Sequence, residues 1–138
     1  METYVPYDSP LEFEFIRGLE TLKEFRVRIT SDRVFRSMGR SILVPEGFIT
    51  DLASTPRIIW SFIPPFGPWS EAAVVHDRLY LIGDCTRLEA DQILRDIMRQ
   101  HGVSRYVRSI IYSGVRVGGW RTWNRYRKSE KRAKDYSK

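Results

Sequence analysis

The chain reads as an α+β domain: a small antiparallel sheet at the amino-terminal end, a proline- and aromatic-rich loop, a helical hairpin and a C-terminal helix. Three observations predict this. "FRVRI" at residues 25–29 alternates apolar and basic side chains, the two-residue period of a half-buried strand. Four of the seven prolines lie in the stretch 50–69, which breaks the chain in the middle. From Ser70 onward the apolar residues recur at helical spacing between recognisable caps. Strands followed by helices, without alternation, point to α+β.

Within residues 11–49, "SDR" and "SMGR" read as turns, and "SILVPEGF" as a short strand stopped by Pro45 and Gly47. A two-strand ribbon fits this part. In the loop, Thr50 or Asp51 is suited to cap a short turn, and "PRIIWSF" to form one or two helical turns from Pro56. Trp60, Phe62, Phe66 and Trp69 make the loop a candidate interface. Ser70 is expected to cap the first helix, which runs to about Ile82 and ends at Gly83, with Val74, Val75, Leu79 and Leu81 apolar. Thr86 with Glu89 forms a capping-box pattern for the second helix, which ends near His101 and Gly102. Its expected apolar face is Leu88, Ile93, Leu94, Ile97 and Met98. The third helix starts near Ser104, and the glycines at 118 and 119 are expected to weaken it.

With 138 residues, 42% of them hydrophobic and 13% aromatic, the chain suits one domain with a real core. The division expected is a single α+β domain over 1–119 and a basic, aromatic tail over 120–138, helical or partly disordered. A single cysteine, Cys85, excludes an internal disulfide. The amino-terminal segment lacks a signal-peptide pattern, and no stretch reaches the roughly 20 apolar residues that span a bilayer. Folding in a reducing cytoplasm fits both, and release by lysis or within a particle would need no signal. The net charge of +6 is uneven: from Arg116 to Lys138 there are nine basic residues against two acidic ones. Such an end suits an anionic membrane surface, nucleic acid or an acidic face of another protein, or it serves solubility alone.

The chemistry concentrates in "AAVVHDRLY" and "EADQIL". His76 and Tyr80 are four apart and share a helix face, while Asp77 projects about 100° away. An antiparallel hairpin lets Asp91 meet His76 only if the two helices are offset. Were they to meet, Asp91 would fix the imidazole tautomer and leave the other nitrogen as a general base. Asp77 would suit a hard cation or a cap. The same residues also suit a buried hydrogen-bonded network that fixes the core. There is no zinc-ligand spacing, "GVRVGG" follows no βαβ strand, and Ser54 lies in no nucleophile elbow.

"VPEGFITDLASTPRIIW", "PPFGPWSEAAVVHDRLY", "EADQIL" and "YSGVRVGGWRTW" resemble the phage and bacterial family called domain of unknown function 1353, over roughly residues 40–123. That resemblance implies a phage or prophage setting. His-Asp-x-x-Tyr on one helix with Ala-Asp on the next is also similar to the catalytic helix pair of phospholipase A2, in particular the cysteine-free kind of parvovirus capsids. By position it implies His76 as the base that activates water, with Tyr80 and Asp91 supporting it and Asp77 as a Ca²⁺ ligand. The glycine-rich calcium loop of that family is not matched. Asp51 and the carbonyls of the 50–69 loop are the candidates to replace it.

The expectation ranked first is Ca²⁺-assisted ester hydrolysis of membrane lipid, with Trp120, Arg121, Trp123, Arg125 and Arg127 contacting an anionic bilayer. The alternative is a non-enzymatic virion component, in the tail or connector, that contacts other virion proteins. A third is nucleic-acid binding through the tail. An enzyme should keep His76 reachable by water; a structural network should seal it.

Overall fold

The computed structural model describes residues 12–15, 27–50 and 67–136. Asp51, the expected turns from Pro56, and Trp60, Phe62 and Phe66 lie outside them, as do Phe25 and Arg26 of the expected first strand.

Strands β1 (Phe13–Phe15), β2 (Val27–Ile29) and β5 (Ile49–Thr50) form an antiparallel sheet in the order β1-β2-β5. In β2, Val27 and Ile29 are buried and Arg28 is exposed, as the alternation requires. Strands β3 (Arg33–Ser37) and β4 (Arg40–Val44) pair as a hairpin, from Arg33 opposite Val44 to Ser37 opposite Arg40. Its two-residue turn is Met38-Gly39, with φ of 51° and 74°. Positive φ at both positions is what a tight hairpin turn asks for, and glycine supplies one without strain.

Three helices follow: α1 (Ser70–Ile82), α2 (Arg87–Gln100) and α3 (Arg105–Tyr136). Thr86 caps α2, accepting the Glu89 amide at 3.1 Å. Gly83 closes α1 in the left-handed conformation, donating its N–H to the Leu79 carbonyl. Ser70 is not the cap of α1. It occupies the first helical position after Trp69, and its Oγ accepts the Gly67 amide at 2.9 Å. That bond folds the chain back before the helix instead of serving the amides inside it.

The core lies between the strands and the three helices. Val27, Ile29 and Val44 from the strands meet Val75 and Leu79 of α1, Leu94 and Ile97 of α2, and Val115 of α3, all at most 2% exposed. Burying each such side chain stabilises by about 1.5–3 kcal/mol. Leu88, on the expected apolar face of α2, and Leu81, an apolar position of α1, are outside it. Leu88 is 45% exposed because it lies half a turn round α2 from Ile97, and Ala90 fills the inward position. Leu81 is 44% exposed, in the last turn of α1 where that face opens to solvent.

α3 does not break at the two glycines; it runs for 32 residues, through Trp120 to Tyr136. A Cβ on Gly119 would stand 2.6 Å from the Tyr80 hydroxyl. Glycine there permits α3 to close on α1, and packing outweighs the roughly 1 kcal/mol propensity penalty. α2 and α3 lie antiparallel, so Asp91 faces Arg116 and Arg95 faces Tyr112 along one seam.

Candidate functional site at the helical hairpin

The hairpin offset that His76 and Asp91 require is small. Asp91 stands four residues into α2, about 6 Å along its axis at 1.5 Å per residue. The same height on α1 falls between His76 and Tyr80, which share a face. Asp91 therefore takes one bond from each of two successive turns. His76 Nε2 lies 2.6 Å from Asp91 Oδ1, and the Tyr80 hydroxyl donates to that same oxygen at 2.6 Å. The His76 and Tyr80 rings sit 4.1 Å apart between centroids.

The other carboxylate oxygen is held from α3 and from α2 itself. Arg116 Nη1 donates to Asp91 Oδ2 at 2.6 Å, and Arg87 Nη1 approaches it at 3.4 Å. Arg87 also donates to the carbonyls of Val115 at 3.1 Å and Arg116 at 3.3 Å. Asp91 is 0% exposed, so burial by itself pushes its carboxyl up. The bonds from His76, Tyr80 and Arg116 overcome that and hold it below the usual carboxylate range. A buried carboxylate that stays ionised accepts, so Nε2 carries the proton towards Asp91. In the neutral ring the lone pair then belongs to Nδ1, which makes no hydrogen bond among the described residues. Tyr80 is pushed well above its ordinary value, by burial first and then by its hydrogen bond to the Asp91 carboxylate. It remains a donor at any physiological pH.

Asp77 does not join this cluster. It is 3% exposed, and its Oδ1 accepts the Tyr126 hydroxyl from α3 at 2.9 Å. Ca²⁺ takes six to eight oxygens, several of them carboxylates. Among the described residues no group of three His, Cys, Asp or Glu is placed to hold a metal. The described residues alone do not build a calcium site round Asp77, and Asp51 lies outside them.

The basic end of the chain divides in two. Trp120, Arg121 and Arg125 are exposed. Trp123 and Arg127 turn inward: Trp123 packs edge-on to Tyr80 with centroids 5.2 Å apart, and Arg127 stacks on Trp123 at 4.5 Å. Arg127 Nη2 donates to the carbonyls of Tyr80 at 2.5 Å and Leu81 at 3.0 Å. α1 has no basic residue in its own last turn, so Arg127 supplies the positive charge that its carbonyl end favours. A Cβ on Gly83 would collide with that guanidinium.

Three network members escape a reading of the sequence: Arg87, Arg116 and Tyr126. The i,i+4 spacing of Arg87 and Asp91 is a local signal for the first. Arg116 and Tyr126 meet their partners 25 and 49 residues away, with no local signal.

Fold and site together define an α+β domain whose helical hairpin encloses a histidine–aspartate–tyrosine cluster braced by two arginines. The chain belongs to the family described as "Protein of unknown function (DUF1353)", which matches residues 27–115. The match begins earlier than the resemblance in the sequence, at β2, and ends within α3 at Val115. No curated protein and no solved structure matches the chain. Among the described residues no helix is long and apolar enough to cross a membrane.

Proposed function

We propose that the hairpin is the catalytic centre of a small esterase whose substrate is a membrane lipid, in a protein that a phage uses when it penetrates or lyses its host. One observation carries this reading: Asp91 holds Nε2 of His76 and the Tyr80 hydroxyl on a single oxygen, which leaves Nδ1 as the base. Nδ1 would take a proton from water, and the resulting hydroxide would add to the ester carbonyl. Asp91 would balance the imidazolium charge. Collapse of the intermediate returns the proton to the leaving alcohol and frees a carboxylic acid. The exposed Trp120, Arg121 and Arg125 on α3 suit an anionic bilayer. No step is assigned to calcium; Asp77 with a bound Ca²⁺ enters as one arm of the test.

A second reading has its own observation. His76 is 1% exposed and Asp91 0%, and every oxygen of Asp91 is taken. By the criterion of access, that favours a virion structural component in which the cluster ties three helices together. The hydrolase reading requires the ring to be uncovered when substrate binds.

The deciding experiment is hydrolysis of mixed phospholipid vesicles, with Ca²⁺ and with chelator, beside a folded His76→Ala variant. Fatty-acid release that the variant lacks supports the esterase, and its dependence on Ca²⁺ tests Asp77. No release under either condition, together with a large loss of stability in His76→Ala, sinks the esterase in favour of the structural reading.

A further inference from the structure

Further along the α2–α3 seam, beyond the Asp91 cluster, the same helices carry a different arrangement. Arg95 on α2 and Arg105 and Arg108 on α3 line a pocket of about 310 Å³ with Ser109, Tyr112 and Ser113. No carboxylate lines it. Among the described residues none of these three arginines has an acidic partner within 4.0 Å. An adjoining pocket of about 310 Å³ shares Arg95 and Arg108 and adds Met38, Gln92, Asp96 and Arg99. There one carboxylate stands among three arginines, and Asp96 accepts from Arg99 at 2.7 Å, Gln100 at 2.9 Å and Ser37 at 2.7 Å.

Three like charges round one hollow repel one another. Arg95 is held by its stack on the Tyr112 ring, 4.3 Å from the centroid, which leaves its planar fork of donors free. Nε of Arg108 is shut off from solvent with no hydrogen-bond partner. A guanidinium cluster with hydroxyls beside it is the donor set that a phosphate group takes up, through charge-assisted and forked hydrogen bonds. The hollow lies at the small end of ligand-pocket sizes.

We propose that the Arg95–Arg105–Arg108 pocket binds the phosphate group of a small phosphorylated ligand. The neighbouring pocket, polar and still cationic with Met38 at its edge, receives the rest of the ligand. The site is separate from the His76 cluster, and the proposal does not rest on the esterase reading.

The test is calorimetric titration of the full chain at constant ionic strength, set with chloride. The probes are inorganic phosphate, adenosine monophosphate and vesicles containing phosphatidic acid. Two charge-matched variants accompany the wild type: Arg95→Gln/Arg108→Gln in the pocket, and Arg121→Gln/Arg125→Gln on the outer face of α3. Thermal melting of each variant checks its fold, and the shift of the wild-type melt with phosphate gives a second readout. The expected result is saturable binding of phosphate, tighter for the nucleotide, weakened about tenfold or more by the pocket variant and unchanged by the outer-face variant. Binding of vesicles alone, lowered by the outer-face variant and not by the pocket variant, overturns it in favour of a membrane surface. Absence of saturable binding to any probe also overturns it, as does phosphate binding that both variants weaken equally, which is unspecific charge attraction.

Discussion

The two ends of the α2–α3 seam use the same residue type in opposite ways. At the Asp91 end, Arg116 and Arg87 meet a carboxylate that is 0% exposed, and backbone carbonyls take up further donors. At the other end, Arg95, Arg105 and Arg108 surround a hollow without an acid. Arginine bonded to a buried carboxylate is part of the fold, and removing it leaves the carboxylate charge stranded in low dielectric. Arginine round a hollow that no acid lines is expected to contribute little to folding.

The largest effect is expected from Asp91→Ala. It removes the shared acceptor of the buried His76 and Tyr80 and the partner of Arg116, so urea unfolding should show a loss of about 3–5 kcal/mol. A loss below 1 kcal/mol would mean that the cluster is not what joins the helices. Gly119→Ala comes next. Its new Cβ, 2.6 Å from the Tyr80 hydroxyl, forces α3 or Tyr80 to move, at a cost of about 1–3 kcal/mol. In a Tyr80→Phe background the same change should cost less, because the clashing atom is gone. Equal costs in both backgrounds would place the strain elsewhere.

These two positions also mark what is legible in the sequence. The hairpin is local: Gly83, Thr86 and Glu89 fix its ends by backbone chemistry that a sequence carries openly. His76 and Tyr80 share a face by spacing alone, and Asp91 falls within their reach because the loop is short. The strand alternation at Val27–Ile29 is equally local. What joins α3 to the hairpin is not local. Arg116, Arg127 and Tyr126 lie in a segment that reads as a basic surface, and nothing about their spacing distinguishes a network arginine from an exposed one. Gly119 reads as a helix weakener because propensity is visible in sequence, whereas a tyrosine hydroxyl 39 residues earlier is not. Leu81 and Leu88 mislead for a related reason: helical period marks a stripe, and the packing partners decide which part of it is covered.

Acid sharpens the contrast. Asp91 and Asp96 both have folded-state values below their ordinary ones. Each then binds fewer protons folded than unfolded, so its contribution is complete above about pH 5 and is lost as pH falls below about 4. The wild type should lose stability steeply below pH 4, and Asp91→Asn, already weaker at neutral pH, should show a flatter acid limb. Parallel limbs would mean that Asp91 gains no net charge stabilisation from its donors. A smaller effect is expected from Arg127→Ala. Loss of its bonds to the α1 carbonyls should cost about 1 kcal/mol and leave the Asp91 cluster intact.

The smallest expected effect is the most diagnostic, because it separates charge that folds the chain from charge that does not. Arg95→Gln/Arg108→Gln should change the unfolding free energy by no more than about 0.5 kcal/mol. Losing the Arg95 stack on Tyr112 costs a fraction of a kcal/mol, and relieving repulsion among three arginines returns a similar amount. Arg116→Gln, one turn along α3 from Tyr112, should cost several times more, because Asp91 would lose its strongest cationic partner while remaining buried. Raising the salt concentration should stabilise the wild type more than the groove variant, since screening acts on exposed like charges and hardly reaches a buried pair. Were the groove variant to lose as much as Arg116→Gln, both ends of the seam would be structural, and the pocket arginines would be held for the fold and not for a ligand.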